Sequence, residues 1–154
     1  MPPLKEGAKA PDFKLRADNG RDIRLSDLKG RHTVLYFYPK DMTPGCTQEA
    51  CDFRDTYQKI KSAGAEVLGV SFDSIDLHQK FKAVHKLPFP LLSDEDKAIA
   101  KKYGVYKQKS MYGRAYMGIE RTTFVIGPDL KIKKIFPKVK VTGHVKEILA
   151  SIGL

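Results

Sequence analysis

The stretch VLYFYPKDMTPGCTQEACDFRDTY, residues 34–57, decides the fold of this chain and holds both of its cysteines. Residues 34–38 are β-branched, aliphatic and aromatic, which predicts a buried strand. Pro39 ends that strand, because proline cannot donate to a sheet ladder. From Thr47 onward apolar residues recur every three or four positions, which predicts an amphipathic helix. A loop over residues 40–45 therefore joins a strand to a helix.

Cys46 falls in the first turn of the predicted helix. At that position unpaired backbone N–H groups and the helix dipole stabilise a thiolate, which is the reactive form of cysteine. Cys51 follows about 140° around the helix axis and roughly 7.5 Å along it. Cα atoms more than about 7 Å apart cannot be bridged, so a disulfide between the two cysteines requires the first turns of the helix to unwind.

Other interpretations of the cysteines stay open from the residues alone. Both could be buried small hydrophobic side chains without chemistry, as is common for free cysteines. A zinc site is less favoured, because four intervening residues is not the usual ligand spacing and no second Cys or His pair stands elsewhere in the sequence. The histidines show no ligand spacing and are interpreted as structural: His32, His78, His85 and His144.

The formal net charge of +10 raises the hypothesis of a nucleic-acid partner, because an excess of Lys and Arg attracts phosphate. Much of the excess falls on lysines that alternate with apolar residues, as on a strand with one solvated face: Lys131, Lys133, Lys134, Lys138 and Lys140. No nucleic-acid motif accompanies them. We therefore expect a solvated surface and no nucleic-acid partner.

The length of 154 residues suits a single domain over residues 1–154. No apolar run approaches the roughly 20 residues of a membrane helix, and residues 1–10 lack the hydrophobic centre of a signal peptide. Two cysteines are too few for a secreted disulfide framework. The sequence therefore predicts a cytoplasmic protein without a membrane partner.

Strands and helices alternate along the chain. Further strands are predicted at residues 13–15, 23–25, 67–72, 91–92, 122–126 and 130–136. Further helices are predicted after Ser74, with Leu77, Phe81 and Val84 on the buried face, after Asp94, and along Val145, Ile148, Leu149 and Ile152. Residues 107–118 have no sustained period and are predicted to form a loop. The alternation indicates an α/β fold.

Residues 37–47, FYPKDMTPGCT, resemble the active-site signature of the peroxiredoxins. The spacing of Cys46 and Cys51 is similar to that of the bacterioferritin comigratory protein, or Q-type, subgroup. The resemblance continues in GAKAPDF at residues 7–13, in LLSD at 91–94 and in RTTFVI at 121–126, so it covers nearly the whole chain. It implies a thioredoxin-like fold, a central mixed β-sheet flanked by helices on both faces, with an N-terminal β-hairpin.

The resemblance also implies roles for the two cysteines and for Thr43. Cys46 would attack the peroxide and become a sulfenic acid, and Cys51 would resolve it as an intramolecular disulfide. Thr43, three residues before Cys46, would hydrogen-bond the peroxide. Judged without the motif, Thr43 is an ordinary turn residue before Pro44.

Three more site residues follow from the resemblance. Arg121 would stabilise the thiolate and hold peroxide oxygens through its planar fork of donors. Pro39 would shield the cysteine from bulk water, and Gly45 would allow close backbone approach and offer an N–H near the peroxide. Without the resemblance, an arginine at the start of a strand is more often a surface residue.

The resemblance thus implies a thiol-dependent peroxidase that reduces hydrogen peroxide and organic hydroperoxides in antioxidant defence and redox homeostasis, with no metal, haem or flavin cofactor. The expected reductant is thioredoxin or a similar dithiol protein, and the expected assembly is a monomer or weak homodimer. One alternative is a general thiol-disulfide oxidoreductase, although the sequence lacks the Cys-x₂-Cys spacing of thioredoxins. The other is a basic binding or holdase-like module in which the cysteines are incidental.

Overall fold

The computed structural model of the protein describes residues 4–154. Its strands are β1 (Lys14–Ala17), β2 (Asp22–Arg24), β3 (Thr33–Phe37), β4 (Glu66–Ser71), β5 (Leu91–Ser93), β6 (Tyr106–Met111), β7 (Arg114–Ile119), β8 (Thr122–Ile126) and β9 (Ile132–Phe136). Its helices are α1 (Pro44–Ser62), α2 (Ile75–His85), α3 (Ala98–Lys102) and α4 (His144–Ser151), and a 3₁₀ turn covers Leu25–Leu28.

Seven strands form one mixed sheet in the order β2-β1-β5-β4-β3-β8-β9. Strands β3, β4 and β5 are parallel neighbours, while β8 joins β3, and β9 joins β8, in antiparallel register. Strands β1 and β2 form the N-terminal hairpin at one end. The α/β class and the mixed sheet expected from the sequence are confirmed.

Helices cover both faces of this sheet, and each face has its own apolar core. On one side α3 contributes Ile99 and Ala100 to a cluster that includes Phe37 and Phe124. On the other side α1, α2 and α4 pack against the alternate residues of the same strands. Because both faces are covered, β3 and β4 are buried at every position, which explains their near-continuous apolar sequence.

Helix α1 begins at Pro44, two residues before the start at Cys46 that the predicted loop implies. Proline suits the first helical position, because its φ is already helical and its missing N–H would have no intrahelical acceptor there. The connecting loop therefore covers residues 38–43. Gly45 lies inside the helix, which corrects the predicted loop over residues 40–45.

The predicted buried face of α2 is correct for Phe81 but wrong for Leu77 and Val84. Leu77 and Val84 are 42% and 57% exposed, whereas His78 and Phe81 are fully buried. The pattern misled because His78 was counted as polar, although in the fold both of its ring nitrogens have hydrogen-bond partners. The Ser74 cap itself is confirmed, since its Oγ accepts from the Leu77 N–H at 3.3 Å.

Residues 107–118 form a hairpin rather than the predicted loop. Strands β6 and β7 pair in antiparallel register and turn through Tyr112 and Gly113, which both have positive φ, 52° and 77°. Most side chains of the two strands are exposed. A strand pair with little buried surface carries no hydrophobic alternation, so periodicity could not reveal it.

Candidate active site

Cys46 occupies the third position of α1 and is 1% exposed. The first intrahelical bond runs from the Thr47 N–H to the Thr43 carbonyl at 2.8 Å. Helix geometry leaves the N–H groups of Gly45 and Cys46 without an intrahelical acceptor, so two donors and the positive end of the helix dipole lie beside the sulfur. This arrangement favours an anion at the position of the thiol.

Arg121 reaches Cys46 because of the sheet order. It immediately precedes β8, whose first residue, Thr122, pairs with Phe37 at the end of β3. The chain therefore enters β8 beside the start of α1. The Arg121 Nη2 donates to the Cys46 Sγ at 3.3 Å, and the Arg121 Nη1 donates to the Glu49 Oε1 at 2.7 Å. One planar guanidinium thus holds the thiol and a carboxylate together.

Gly45 makes room for this guanidinium. A Cβ at position 45 would lie 3.2 Å from the Arg121 Nη2, closer than side chains normally pack. The sequence also predicts that Gly45 allows close backbone approach to the peroxide, and that role stays a prediction. The close contact that the structure describes is with the arginine.

Glu49 is a site residue that the sequence analysis missed. It is fully buried, and its Oε2 has no hydrogen-bond partner among residues 4–154. Burial raises its pKa to about 7, despite the opposing effect of Arg121. A signal was present in the sequence, because Glu49 lies between Cys46 and Phe53 on the apolar face of an amphipathic helix, where a carboxylate is rarely found without a partner.

Lys109 is a second basic group near the site, and it comes from the hairpin that was predicted to be a loop. Its Nζ donates to the Ile119 carbonyl at 2.7 Å. Burial lowers the pKa of Lys109, and the nearby charge of Arg121 lowers it further. Hairpin β6–β7 therefore adds positive charge in the neighbourhood of Cys46 and Arg121.

Thr43 and Pro39 lie in and around the loop before α1. The Thr43 hydroxyl donates to the Lys40 carbonyl at 2.8 Å, so it closes the turn. Thr43 is the residue that caps α1, with extended backbone geometry, and Pro39 is half-buried two residues after β3 ends. The structure brings Cys46, Gly45 and Arg121 into direct proximity. The roles of Thr43 and Pro39 toward a substrate remain predictions.

A buried network anchors the same loop through Asp41. Its carboxylate accepts from the Tyr38 hydroxyl at 2.5 Å and lies 2.6 Å from the His78 Nδ1, while its N–H donates to the Asp73 Oδ2 at 2.8 Å. The His78 Nε2 lies 2.9 Å from the Leu92 carbonyl, which can only accept, so Nε2 carries a proton. Burial acts to lower the pKa of His78, but Asp41 outweighs it and the pKa is raised.

Asp41, Asp73 and His78 also bring their possible ligand atoms within 4.8 Å of one another, close enough to hold a metal ion. The atoms involved are already engaged, since the two carboxylates accept from Tyr38, Ser71 and the backbone. A metal would have to displace these bonds. We therefore interpret the group as a hydrogen-bonded anchor for the loop.

Cys51 lies one and a half turns after Cys46 on the unbroken helix α1, and both cysteines are free thiols. Cys51 is half-buried, and its Sγ is 3.9 Å from the His85 Nδ1 at the end of α2. Arg54, the next residue on that side of α1, donates from Nη1 to the His85 carbonyl at 2.9 Å. The structure thus brings His85 against the second cysteine, a contact that the sequence did not predict.

The model of the AhpC/TSA family matches residues 7–135 of this chain. A putative peroxiredoxin bcp of Coxiella burnetii is 51% identical over 95% of this chain and 97% of its own length. Peroxiredoxin Bcp of Bacillus subtilis is also 51% identical, over 97% of this chain and 95% of its own length.

Solved structures agree with these sequence relatives. The bacterioferritin comigratory protein of Xanthomonas campestris, studied for its alkyl peroxide reduction activity, superposes with a TM-score of 0.90 at 39% identity, covering 96% of this chain and 97% of that one. A cysteine mutant of Xylella fastidiosa PrxQ superposes with a TM-score of 0.93 at 37% identity, covering 99% and 97%. These likenesses confirm the thioredoxin-like peroxiredoxin fold.

Within residues 4–154, no helix combines the length and apolar character needed to span a bilayer. A family match over most of the chain and 51% identity to curated relatives agree with the cysteine site described above. The chain belongs to the AhpC/TSA family, in which it is a thiol-dependent peroxidase of the peroxiredoxin Bcp type.

Proposed function

We propose that Cys46 is the residue that attacks peroxide and that Arg121 is its activating partner. The observation that carries the proposal is the 3.3 Å contact from the Arg121 Nη2 to the Cys46 Sγ at the start of α1. A helix N-terminus and a guanidinium both stabilise negative charge on sulfur. Donors arranged in this way also suit the oxygen that becomes negative as the O–O bond breaks.

The first step oxidises the sulfur and reduces the peroxide. The Cys46 thiolate attacks the terminal oxygen, an S–O bond forms, and the O–O bond breaks. The leaving oxygen takes a proton and departs as water from hydrogen peroxide or as an alcohol from an organic hydroperoxide. Cys46 is left as a sulfenic acid. The N–H groups of Gly45 and Cys46, the Thr43 hydroxyl and the Pro39 ring would surround the peroxide.

The second step joins the two cysteines. The Cys51 thiolate attacks the Cys46 sulfur, an S–S bond forms, and hydroxide leaves and becomes water. Because both residues lie on one helix, the first turns of α1 must open for this bond to form. Thioredoxin or a similar dithiol protein would then reduce the disulfide. We expect this cycle to operate in the cytoplasm, in a monomer or a weak homodimer.

The test uses the reduced protein and one equivalent of peroxide, with the modified cysteines mapped by mass spectrometry. Cys46→Ser should consume no peroxide. Cys51→Ser should consume one equivalent and stop at the sulfenic acid. If Cys46→Ser kept the first step and Cys51→Ser lost it, the two roles would be reversed and the proposal wrong.

The alternatives have distinct outcomes in the same assay. A general thiol-disulfide oxidoreductase would exchange with a disulfide substrate much faster than it consumes peroxide. A binding module with incidental cysteines would react with peroxide only at the slow rate of a free thiol. Neither outcome is expected if Arg121 and the helix N-terminus activate Cys46.

A further inference from the structure

The resolving cysteine has a histidine beside it. The Cys51 Sγ lies 3.9 Å from the His85 Nδ1, within hydrogen-bond reach for sulfur, and both side chains are half-buried where α1 crosses the end of α2. In the tautomer that carries its proton on Nε2, the His85 Nδ1 accepts the thiol proton. The hydrogen bond to Cys46 described above comes from Arg121, so the contact with His85 involves Cys51 alone.

Two contacts and one backbone feature fix the position of His85. The Arg54 Nη1 donates to the His85 carbonyl at 2.9 Å, which ties the last turn of α2 to α1. The Phe81 ring packs edge-on against the imidazole, with 5.4 Å between ring centres. Lys86 then leaves the helix in a left-handed conformation, with φ of 53°. The fold therefore holds the His85 side chain beside Cys51.

Charged side chains of both α1 and α2 lie near His85. From α1 it faces Cys51 and Arg54, and Arg54 is itself paired with Asp55 at 3.0 Å. On α2, Lys82 is paired with Asp18 at 2.8 Å. No carboxylate between residues 4 and 154 makes an ion pair with His85. Its imidazole is thus placed to exchange a proton with the thiol.

We propose that His85 is the general base of the resolving step, a role that rests on the proposed function of Cys51. A thiol must lose its proton before it attacks, and at neutral pH an unassisted thiol is mostly protonated. The Cys51 proton moves to the His85 Nδ1, and the thiolate attacks the Cys46 sulfur. The S–S bond forms as the S–O bond breaks. The departing hydroxide is protonated to water, and the imidazolium returns its proton to solvent.

This order of chemical steps suits the geometry of α1. The proton can be removed while Cys51 is still on the intact helix and in contact with His85. The thiolate is then ready when the helix opens and carries it toward Cys46.

The experiment measures the two chemical steps separately in the full-length protein. Reduced enzyme is mixed with one equivalent of hydrogen peroxide, and sulfenic acid and disulfide are quantified over time by rapid quenching and mass spectrometry from pH 5.5 to 8.5, a range of about three units around the imidazole reference value. The variant is His85→Gln, which keeps a polar side chain but cannot take a proton. The matched control is His32→Gln, at a histidine just before β3, at the opposite end of that strand from the start of α1.

In wild type and His32→Gln the rate of disulfide formation should level off near neutral pH. In His85→Gln it should be lower by roughly 10²-fold near pH 7, the lower end of what general bases contribute, and should keep rising with hydroxide. Sulfenic acid formation should be unchanged in all three proteins.

Each outcome decides between the two proposals. An unchanged rate and pH profile of disulfide formation in His85→Gln overturns the role of His85. So does a slowing by the same factor at every pH, because that indicates a structural effect. Failure of Cys51→Ser to form sulfenic acid at Cys46 would instead overturn the proposed function itself.

Discussion

At the scale of single residues, Arg121 does two things with one side chain. It donates to the Cys46 sulfur and to the Glu49 carboxylate, and the two acceptors lie three residues apart on α1. A planar guanidinium fits both, because its donors diverge in one plane. A lysine ammonium also carries several donors, but they do not lie in one plane, so it would not reproduce this paired geometry.

Replacement of Arg121 should therefore slow the first step. Arg121→Ala is expected to reduce the rate with peroxide on the order of 10²–10³-fold, the usual cost of losing one donor to a developing negative charge. Arg121→Lys should recover only part, because the charge returns without the fork. Stopped-flow kinetics and ultraviolet titration of the thiolate measure both effects. Arg31→Ala, at an exposed arginine, is the control, and an unchanged rate in Arg121→Ala would remove Arg121 from the site.

Glu49 competes with Cys46 for the charge of Arg121. Burial raises the pKa of Glu49 to about 7, so near neutrality the carboxyl is partly ionised. Glu49→Gln keeps an acceptor for the guanidinium and removes the competing negative charge. The fraction of Cys46 present as thiolate at pH 7 should rise, by ultraviolet absorbance, relative to wild type and to the exposed control Glu147→Gln. A fall in that fraction would show that Glu49 acts by orienting Arg121 instead.

At the scale of elements, the strand, turn and helix around Cys46 were predictable and hairpin β6–β7 was not. The strand run that ends before Pro39 and the apolar spacing after Thr47 are local signals of structures with a buried face. Hairpin β6–β7 buries little, so its sequence carries no such signal. Lys109 lies on that hairpin, so its position near the site was not predicted either.

The two missed side chains on helices share another cause. Glu49 and His78 are polar residues on buried faces, where each is held by a partner remote in sequence, Arg121 or Asp41. Periodicity predicts that polar residues face the solvent, because the pattern contains no information about a partner that is remote in sequence. The face of α2 was misassigned for this reason, whereas Arg121 was found through its resemblance to a family motif.

Helix α1 should open on oxidation. The reduced helix is continuous from Pro44 to Ser62 and carries both cysteines. Disulfide formation breaks the backbone hydrogen bonds of a few residues, each worth about 0.5–1.5 kcal/mol net. The total free energy is within the range of local opening at a helix end. Amide hydrogen exchange should be faster over residues 47–53 in the disulfide form, while protection in α4 stays equal. Equal protection over residues 47–53 in both forms, with the disulfide verified, would contradict the opening.

At the scale of the whole molecule, pH should act on stability through buried carboxyls. Burial raises the pKa of Glu49 from 4.5 to about 7 and that of Asp94 from 3.8 to about 6. The folded state therefore holds these protons more tightly than the unfolded state. Protonation of these carboxyls therefore raises the free energy of unfolding at low pH. This contribution is lost as the pH rises from about 4 to 7.

Urea unfolding at pH 5 and pH 8 tests this sign. The contribution of Glu49 to the free energy of unfolding should fall by roughly 1–3 kcal/mol between the two conditions, because a pKa shift of one unit corresponds to about 1.4 kcal/mol. Glu49→Gln should show a smaller fall than wild type, and Glu147→Gln should follow wild type. A steeper fall in Glu49→Gln than in wild type would reverse the assignment.

The pairing of β3 with β8 also has a consequence for the order in which the protein is made. Cys46 leaves the ribosome 75 residues before Arg121, which corresponds to about 4 to 15 s at 5–20 residues per second. During that interval α1 has no β8 beside β3 and no guanidinium beside the sulfur. If Arg121 activates Cys46 as proposed, the incomplete chain carries a cysteine without its activating arginine. Its thiol should then react with peroxide no faster than an ordinary thiol until β8, the strand that follows Arg121, has joined the sheet.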